Sequence, residues 1–398
     1  MLVFKMRIIF YTGKGGTGKS VISCATGVKA AEQGKKVLVI STDPAHTLSD
    51  IFEKRVFDKP TEIIPNLWAL QVDPIREVRE KYGVIQDYVA SIFQSRGLDE
   101  ALAYEIASLP NMTPFISLLK IYDLVNEGFD ALILDTVPSG EALKNLYLPM
   151  LLTDISKKFL KTFGFFLGAL VKAVSPAVKV PAPSKEVIDA DLALIDRLEV
   201  VRDLLTNVKI TSLRLIANPD FFSIENLRRT YMVANLYNVN VDLAIINKVI
   251  PEEVSDPFFS EWKEKQAEYL VEAEKAFYPL PVRKVPLFKS ELKGINLLKK
   301  LADYVFQDDD PLKVFYEGKP LRVDISEDGL QATLIVKTPF AKKEALEVER
   351  FGDELMVKVD TNIGEVRNFI PLPAVLYSMK LEKAKLIGDE LHITFVKR

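Results

Sequence analysis

A run of eight residues near the amino terminus has the composition of a phosphate-binding loop. Its glycines let the backbone curl so that several N–H groups face a phosphate, and a following helix adds its positive end. Lys19 would reach the β- and γ-phosphates, and the hydroxyl of Ser20 would bind Mg²⁺. The run matches the pattern G-x-x-x-x-G-K-[ST] and consists of Gly13, Lys14, Gly15, Gly16, Thr17, Gly18, Lys19 and Ser20. It predicts a site for ATP or GTP with Mg²⁺.

Two aspartates follow predicted buried strands and could complete this site. Asp135 ends the run Leu132-Ile133-Leu134-Asp135, which is the pattern of a strand whose carboxylate holds Mg²⁺ through a water. Asp43 follows a strand predicted over residues 36–40. Ligands bind at the carboxyl ends of strands in a doubly wound sheet. Taken alone, Asp43-Pro44 is also an ordinary beginning of a turn.

Strands and helices must alternate to position these residues. The sequence predicts strands over residues 7–11, 36–40, 131–134, 213–217 and 243–246, with helices over residues 20–33 and 224–236. Continuous apolar strands of this kind belong to a buried parallel sheet. The fold class is therefore α/β, with a doubly wound, mostly parallel sheet over residues 1–307.

Two inserts interrupt the alternation, at about residues 74–127 and 150–208. Both are helical in pattern. Apolar residues in the second insert recur at steps of three and four, which indicates one helix face; they are Leu152, Ile155, Phe159, Phe163, Phe166, Leu170 and Val174. This face packs into a core, or it is an exposed surface that holds an apolar partner.

A second domain is predicted over residues 312–398. Asp308-Asp309-Asp310-Pro311 indicates a polar hinge before it. Short alternating strands follow, including residues 355–359 and 391–396, with Asp-Gly and Gly-Asp at the turns. A segment of this length and pattern suits an antiparallel β-sandwich.

Composition excludes several other kinds of site. The formal net charge is −3 over 398 residues, which does not suggest a nucleic-acid-binding protein. Cys24 is the only cysteine, and the chain has two histidines, so an intrachain disulfide, a CxxC zinc site and a histidine-rich metal cluster are excluded. The longest apolar stretches are too short to span a membrane. We expect a cytoplasmic protein.

The motifs together resemble those of the arsenite-pump and tail-anchored-protein-targeting ATPase family. The loop has the family's second lysine, Lys14, and Asp43-Pro44-Ala45-His46-Thr47 and Asp135-Thr136-Val137-Pro138-Ser139-Gly140 resemble its two switch segments. The family implies a homodimer in which Lys14 reaches the partner's nucleotide; the alternative is a solvated lysine on a loop tip. It also implies that Asp43 positions or activates the attacking water.

The family further implies residues around the adenine ring and a client surface. Asn247 aligns with an asparagine that reads adenine, and Pro286 and Leu287 lie in a segment beside the ring. In the tail-anchored-targeting members the helical inserts form a groove for a hydrophobic helix. Glu225 and Arg228 match a family pattern, and an ion pair along the helix explains them equally well.

This sequence departs from the family in two ways. Glu141 stands where histidine is common, which puts in doubt any coupling that depends on that histidine. The metalloid-binding and zinc-binding cysteines are absent, so arsenite control by that mechanism is not expected. The C-terminal part resembles the small heat-shock protein (α-crystallin) domain, through elements such as Phe369-Ile370-Pro371-Leu372-Pro373.

These features favour a Mg²⁺-dependent, dimeric ATPase that couples its cycle to a hydrophobic client segment. Two alternatives stay open. The chain could be the energy-coupling subunit of a membrane anion pump, which needs a membrane-protein partner. It could also be a nucleotide-switched scaffold that binds its partners through the β-sandwich.

Overall fold

The computed structural model describes residues 6–42, 47–95, 97–107, 113–135, 183–278, 280–318, 321–338, 346–352, 354–361 and 364–397. Within these residues the first domain is a mostly parallel sheet of eight strands in the order β3-β4-β2-β5-β1-β6-β7-β8. The strands are β1 Arg7–Thr12, β2 Val37–Ser41, β3 Thr61–Ile64, β4 Leu67–Gln71, β5 Ala131–Asp135, β6 Thr211–Ala217, β7 Val241–Val249 and β8 Val282–Pro286.

Helices cover this sheet. They are α1 Lys19–Glu32, α2 Thr47–Phe52, α3 Pro74–Gln94, α4 Glu100–Ala107, α5 Thr113–Leu124, α6 Lys185–Thr206, α7 Phe221–Leu236, α8 Ser260–Phe277 and α9 Ile295–Phe306. The central strands β1, β2 and β5 are buried along nearly their whole length. This burial explains their continuous apolar sequences and confirms the doubly wound α/β prediction.

The edge formed by β3 and β4 was not predicted from the sequence. β3 pairs antiparallel with β4, whereas β4 pairs parallel with β2. The turn between β3 and β4 uses Asn66 at φ 68°, a left-handed conformation that asparagine tolerates. Strands of four and five residues beside such a turn give little hydrophobic periodicity, so the pattern did not reveal them.

The first insert is helical, as predicted, and consists of α3, α4 and α5. Glu77 on α3 accepts two hydrogen bonds from Lys120 Nζ on α5, at 3.0 Å each. In the second insert the structure describes α6, whose N-cap Ser184 accepts a hydrogen bond from Val187 N. The predicted apolar face from Leu152 to Val174 lies outside the described residues.

The C-terminal part contains a four-stranded sheet, β14-β15-β10-β9, and a three-stranded sheet, β11-β12-β13, both antiparallel. Their strands are β9 Leu321–Ile325, β10 Gln331–Lys337, β11 Leu346–Phe351, β12 Glu354–Thr361, β13 Gly364–Pro371, β14 Lys380–Ile387 and β15 Glu390–Val396. Inward residues of both sheets, such as Leu334, Val357 and Ile393, share one hydrophobic core. The predicted antiparallel β-sandwich is confirmed.

The segment between the domains is held in place, although the sequence predicts a polar hinge there. Asp309 accepts a hydrogen bond from Arg283 Nη2 at 2.6 Å and pairs with Lys313. Further along, Asn240 Nδ2 donates to Tyr316 O at 3.1 Å, and Gly318 N donates to Asn240 Oδ1 at 3.2 Å. Acidic residues suggested exposure, but Asp309 has a partner in the first domain, Arg283, which could not be inferred locally.

A buried ion pair lies beneath this segment. Arg214 on β6 and Asp242 on β7 are both fully buried, and Arg214 Nε donates to Asp242 Oδ1 at 3.2 Å. Arg214 also donates to Tyr11 Oη at 3.0 Å and to Lys313 O at 3.1 Å. Burial by itself would lower the pKa of Arg214, but Tyr11 and Asp242 outweigh it and raise that pKa above its ordinary value.

We expect Asp242→Ala to lower the free energy of unfolding by about 3–5 kcal/mol, because it leaves the Arg214 charge buried without its carboxylate. Asp324→Ala is the matched control, since Asp324 is 65% exposed and lies 3.8 Å from Arg322; it should cost at most about 1 kcal/mol. Urea denaturation followed by circular dichroism measures both. Equal losses in the two variants would contradict the role of the buried pair.

Candidate functional site

The predicted phosphate-binding loop lies between the end of β1 and the beginning of α1. Gly13 approaches the neighbouring strand β6 so closely that a Cβ atom there would lie 2.0 Å from Ile216 O. Gly18, at φ 95°, would place a Cβ atom 2.4 Å from Asn247 Nδ2. By contrast, a Cβ atom on Gly15 would meet nothing within 4 Å. Two of the glycines are therefore required by close packing against β6 and β7.

Inside the loop, several donors converge on one carbonyl oxygen. Lys14 O accepts from Thr17 Oγ1 at 2.8 Å, from Lys19 Nζ at 3.3 Å and from Thr17 N at 3.4 Å. Thr17 and Lys19 are buried, whereas Lys14, Gly15 and Gly16 are exposed at the loop tip. Donors gathered in this way can be redirected to the oxygens of a bound phosphate.

The ammonium group of Lys14 lies over an aromatic ring of its own chain. Its Nζ is 5.5 Å from the ring centroid of Phe222, a side chain that is 67% exposed. Phe222 is on the first turn of α7, where Asp220 is the N-cap and accepts from Ser223 N at 2.9 Å. Sequence reasoning missed Phe222, because no local pattern indicates a contact with a residue so far away in the chain.

Asp135 is placed at the carboxyl end of β5, next to the loop. It pairs in register with Tyr11 on β1 and with Ser41 on β2, and it is 4% exposed. Ser41 Oγ donates to Asp135 Oδ2 at 3.4 Å. Ser20 is the second residue of α1. Its hydroxyl and the carboxylate of Asp135 are therefore both next to the loop. Hard oxygen donors of this kind fit Mg²⁺.

The thiol of Cys24, on α1 behind the loop, is fully buried. Burial, followed by the charge of Asp135, raises the pKa of this thiol well above its ordinary value. A thiol in such surroundings stays protonated and unreactive.

The predicted adenine-side residues lie at the ends of β7 and β8. Val249 pairs with Pro286, and Leu287 N donates to Val249 O at 2.8 Å. Leu287 is 44% exposed, whereas Asn247 is buried and its Nδ2 donates to Thr17 O at 2.8 Å. The structure thus brings Asn247, Pro286 and Leu287 to one edge of the sheet.

The alternative interpretation of Glu225 and Arg228 has direct support. Arg228 Nη1 donates to Glu225 Oε1 at 2.5 Å, and Arg228 Nη2 donates to Glu272 on α8 at 2.6 Å. The pair therefore ties α7 to α8. Asp43 and the segment from Thr136 to Glu141 lie outside the described residues, so the structure leaves the two predicted switch segments undescribed.

Two further features concern the described part of the chain. None of its helices is long and apolar enough to cross a membrane. Nor does this part contain a group of three or more histidine, cysteine, aspartate or glutamate residues that could hold a metal ion.

Comparisons with known proteins identify both parts of the chain. Residues 6–307 match the family model for anion-transporting ATPases, and residues 330–395 match the model for the HSP20-like domain found in ArsA. The chain is 36% identical to the putative arsenical pump-driving ATPase 1 of Aquifex aeolicus, over 98% of this chain and 99% of that protein. It is 34% identical to the putative arsenical pump-driving ATPase of Chlorobaculum tepidum, over 98% and 96%.

More distant similarity reaches the ATPase GET3 of Candida glabrata, which is 28% identical over 78% of this chain and 93% of that protein. Together with the phosphate-binding loop and its position between β1 and α1, these matches show that the chain is an ATPase that belongs to the anion-transporting ATPase family.

Proposed function

We propose that the protein is a Mg²⁺-dependent, nucleotide-switched homodimer whose ATPase cycle controls the binding of a hydrophobic client segment. The observation that carries this proposal is the placement of Lys14, exposed at the loop tip and resting on Phe222 5.5 Å away. A lysine in that position can leave the ring and reach a nucleotide bound by a second copy.

The loop and the residues next to it supply the groups that hydrolysis needs. The loop N–H groups and Lys19 bind the β- and γ-phosphates. Ser20 and Asp135 would hold Mg²⁺, Asp135 through a water, and the bound ion would supply positive charge that neutralises the phosphates. Asp43 orients the attacking water, and this positioning is a large part of catalysis in such enzymes. Asn247, Pro286 and Leu287 form the adenine side.

Two substitutions separate nucleotide binding from turnover. Lys19→Ala should abolish hydrolysis and weaken ATP binding, because it removes the phosphate-binding ammonium. Asp43→Asn should bind ATP normally and lose turnover by at least about 100-fold, the usual contribution of a group that handles the proton of a nucleophile. Phosphate release and binding of a fluorescent ATP analogue measure the two effects. Normal turnover in Asp43→Asn would refute the catalytic assignment.

Substitutions of Lys14 and Phe222 test the proposed dimer. Lys14→Ala should weaken nucleotide-dependent dimerisation, because the trans contact is lost. Phe222→Ala should strengthen it about two- to fivefold, because an exposed cation–π contact of about 0.5–1 kcal/mol no longer competes for the lysine. Sedimentation velocity with a non-hydrolysable ATP analogue measures both.

A matched control removes a different exposed cation–π pair. Arg55 lies 5.1 Å from the ring centroid of Phe57, a side chain that is 49% exposed. Phe57→Ala should leave dimerisation unchanged. If Lys14→Ala dimerises as well as the unmodified protein, Lys14 acts only within its own chain and the trans role is wrong.

The client surface is proposed on the insert helices. Exposed apolar side chains occur on α3, α4 and α6; they are Val84 (45% exposed), Leu102 (44%), Ile188 (38%) and Leu192 (43%). Ile188 and Leu192 are four residues apart and therefore lie on one face of α6. This exposed apolar pair on α6 supports a surface that binds an apolar protein segment.

The client proposal predicts ATP-dependent capture of an apolar helical peptide. Leu192→Asp should lower its affinity tenfold or more, since burying one leucine contributes about 1.5–3 kcal/mol. Fluorescence anisotropy of a labelled peptide measures this. Ile387→Asp on β14 is the control, because Ile387 is 51% exposed in the β-sandwich. Loss of binding in the Ile387 variant alone would instead support the scaffold with a β-sandwich binding module.

A second candidate function is the energy-coupling subunit of a membrane anion pump. The observation that favours it is the description of the matching family as anion-transporting, together with relatives named arsenical pump-driving ATPases. Anion transport into vesicles that contain a partner permease, dependent on this protein and on Lys19, would establish it. The same ATPase site would serve either function.

A further inference from the structure

The end of β7 is irregular where it passes the phosphate-binding loop. Ile246 pairs with Lys284 on β8, and the next pairing joins Val249 to Pro286, so β7 contains one residue more than β8 over this stretch. The extra length is taken up by Asn247 and Lys248. Lys248 has φ 60°, a left-handed conformation that a lysine rarely adopts. The irregularity is a β-bulge.

The bulge directs two neighbouring side chains to the same loop. In a regular strand Asn247 and Lys248 would point to opposite faces of the sheet. Here Asn247 Nδ2 donates to Thr17 O at 2.8 Å, and Lys248 Nζ donates to Gly16 O at 2.7 Å. Two consecutive carbonyls of the loop are therefore held from outside by two consecutive residues of β7.

Holding those carbonyls determines where the following N–H groups point. A trans peptide unit is planar, so its C=O and N–H groups point in opposite directions. The carbonyl of Gly16 shares a peptide unit with Thr17 N, and the carbonyl of Thr17 shares one with Gly18 N. Anchoring both oxygens on β7 turns both N–H groups away from β7. A phosphate-binding loop uses inward N–H groups of this kind to bind its ligand.

We propose that Lys248 is a positioning residue for the ATPase reaction: together with Asn247 it holds the loop in the conformation that receives the nucleotide phosphates. The left-handed conformation supports this role, because backbone strain of this kind persists where the surrounding structure imposes it, and it clusters at functional sites. The proposal rests on the ATPase activity of the family and is independent of the dimer and of the client.

The test replaces Lys248 by methionine, which keeps the length of the side chain and removes the donor. If the loop adopts its binding conformation for only a fraction of the time, the apparent affinity of the protein for the nucleotide falls to that fraction. We expect Lys248→Met to raise the KM for ATP about tenfold, as for one hydrogen bond from a charged group, and to leave kcat within about twofold. ADP binding should weaken by the same factor. Lys248→Arg, which restores a charged donor, should recover most of the loss.

Two further variants keep the test decisive. Lys248→Gly accepts the left-handed φ without strain and also lacks the donor, so it should reproduce the rise in KM even if the methionine variant folds poorly. Lys300→Met changes an exposed lysine on α9 and should alter neither constant. An unchanged KM in both Lys248 variants would overturn the proposal. So would a larger loss for ATP than for ADP, because Lys248 would then bind the terminal phosphate directly.

Discussion

The buried pair of Arg214 and Asp242 is the interaction that holds the segment between the domains on the parallel sheet. Two charges out of water are stable only when additional hydrogen bonds satisfy their remaining atoms. Arg214 donates its other hydrogen bonds to Tyr11 Oη and Lys313 O. Asp242 Oδ2 accepts a further hydrogen bond from Phe315 N at 3.3 Å. Tyr11 lies two residues before the phosphate-binding loop. The strand that leads to the loop and the segment that leads to the β-sandwich therefore share one support.

The loop itself is shaped mainly by the strands beside it. Gly13 packs against the backbone of β6, while Asn247 and Lys248 on β7 hold the carbonyls of Thr17 and Gly16. Tyr11 Oη also contacts Thr26 Oγ1 on α1 at 2.7 Å, behind the loop. The proposed phosphate-binding site is thus fixed by contacts far apart in sequence, so its geometry depends on the packing of β1, β6, β7 and α1.

The sequence predicted what is encoded locally and missed what depends on register. Local sequence patterns identify a loop motif between a strand and a helix, and they also identify buried apolar strands. The α/β sheet, the insert helices α3–α5 and the β-sandwich were therefore predictable. Lys248 was not, because a regular strand would turn it away from the loop and only the bulge redirects it. Nor was Phe222, since its contact with Lys14 joins residues 208 positions apart (222 − 14).

The segment after α9 belongs physically to the ATPase, although its family match ends at residue 307. Leu312 O accepts from Arg7 Nε at 2.9 Å, and Phe315 stacks on Phe306 with ring centroids 6.2 Å apart. Removing residues from 311 onward would uncover Arg214 and Asp242 and leave part of their hydrogen bonding unmade. We infer that the ATPase unit extends to Gly318. The segment that leads to the β-sandwich is thereby held against the strand that carries the loop, by the hydrogen bond from Arg7 to the carbonyl of Leu312.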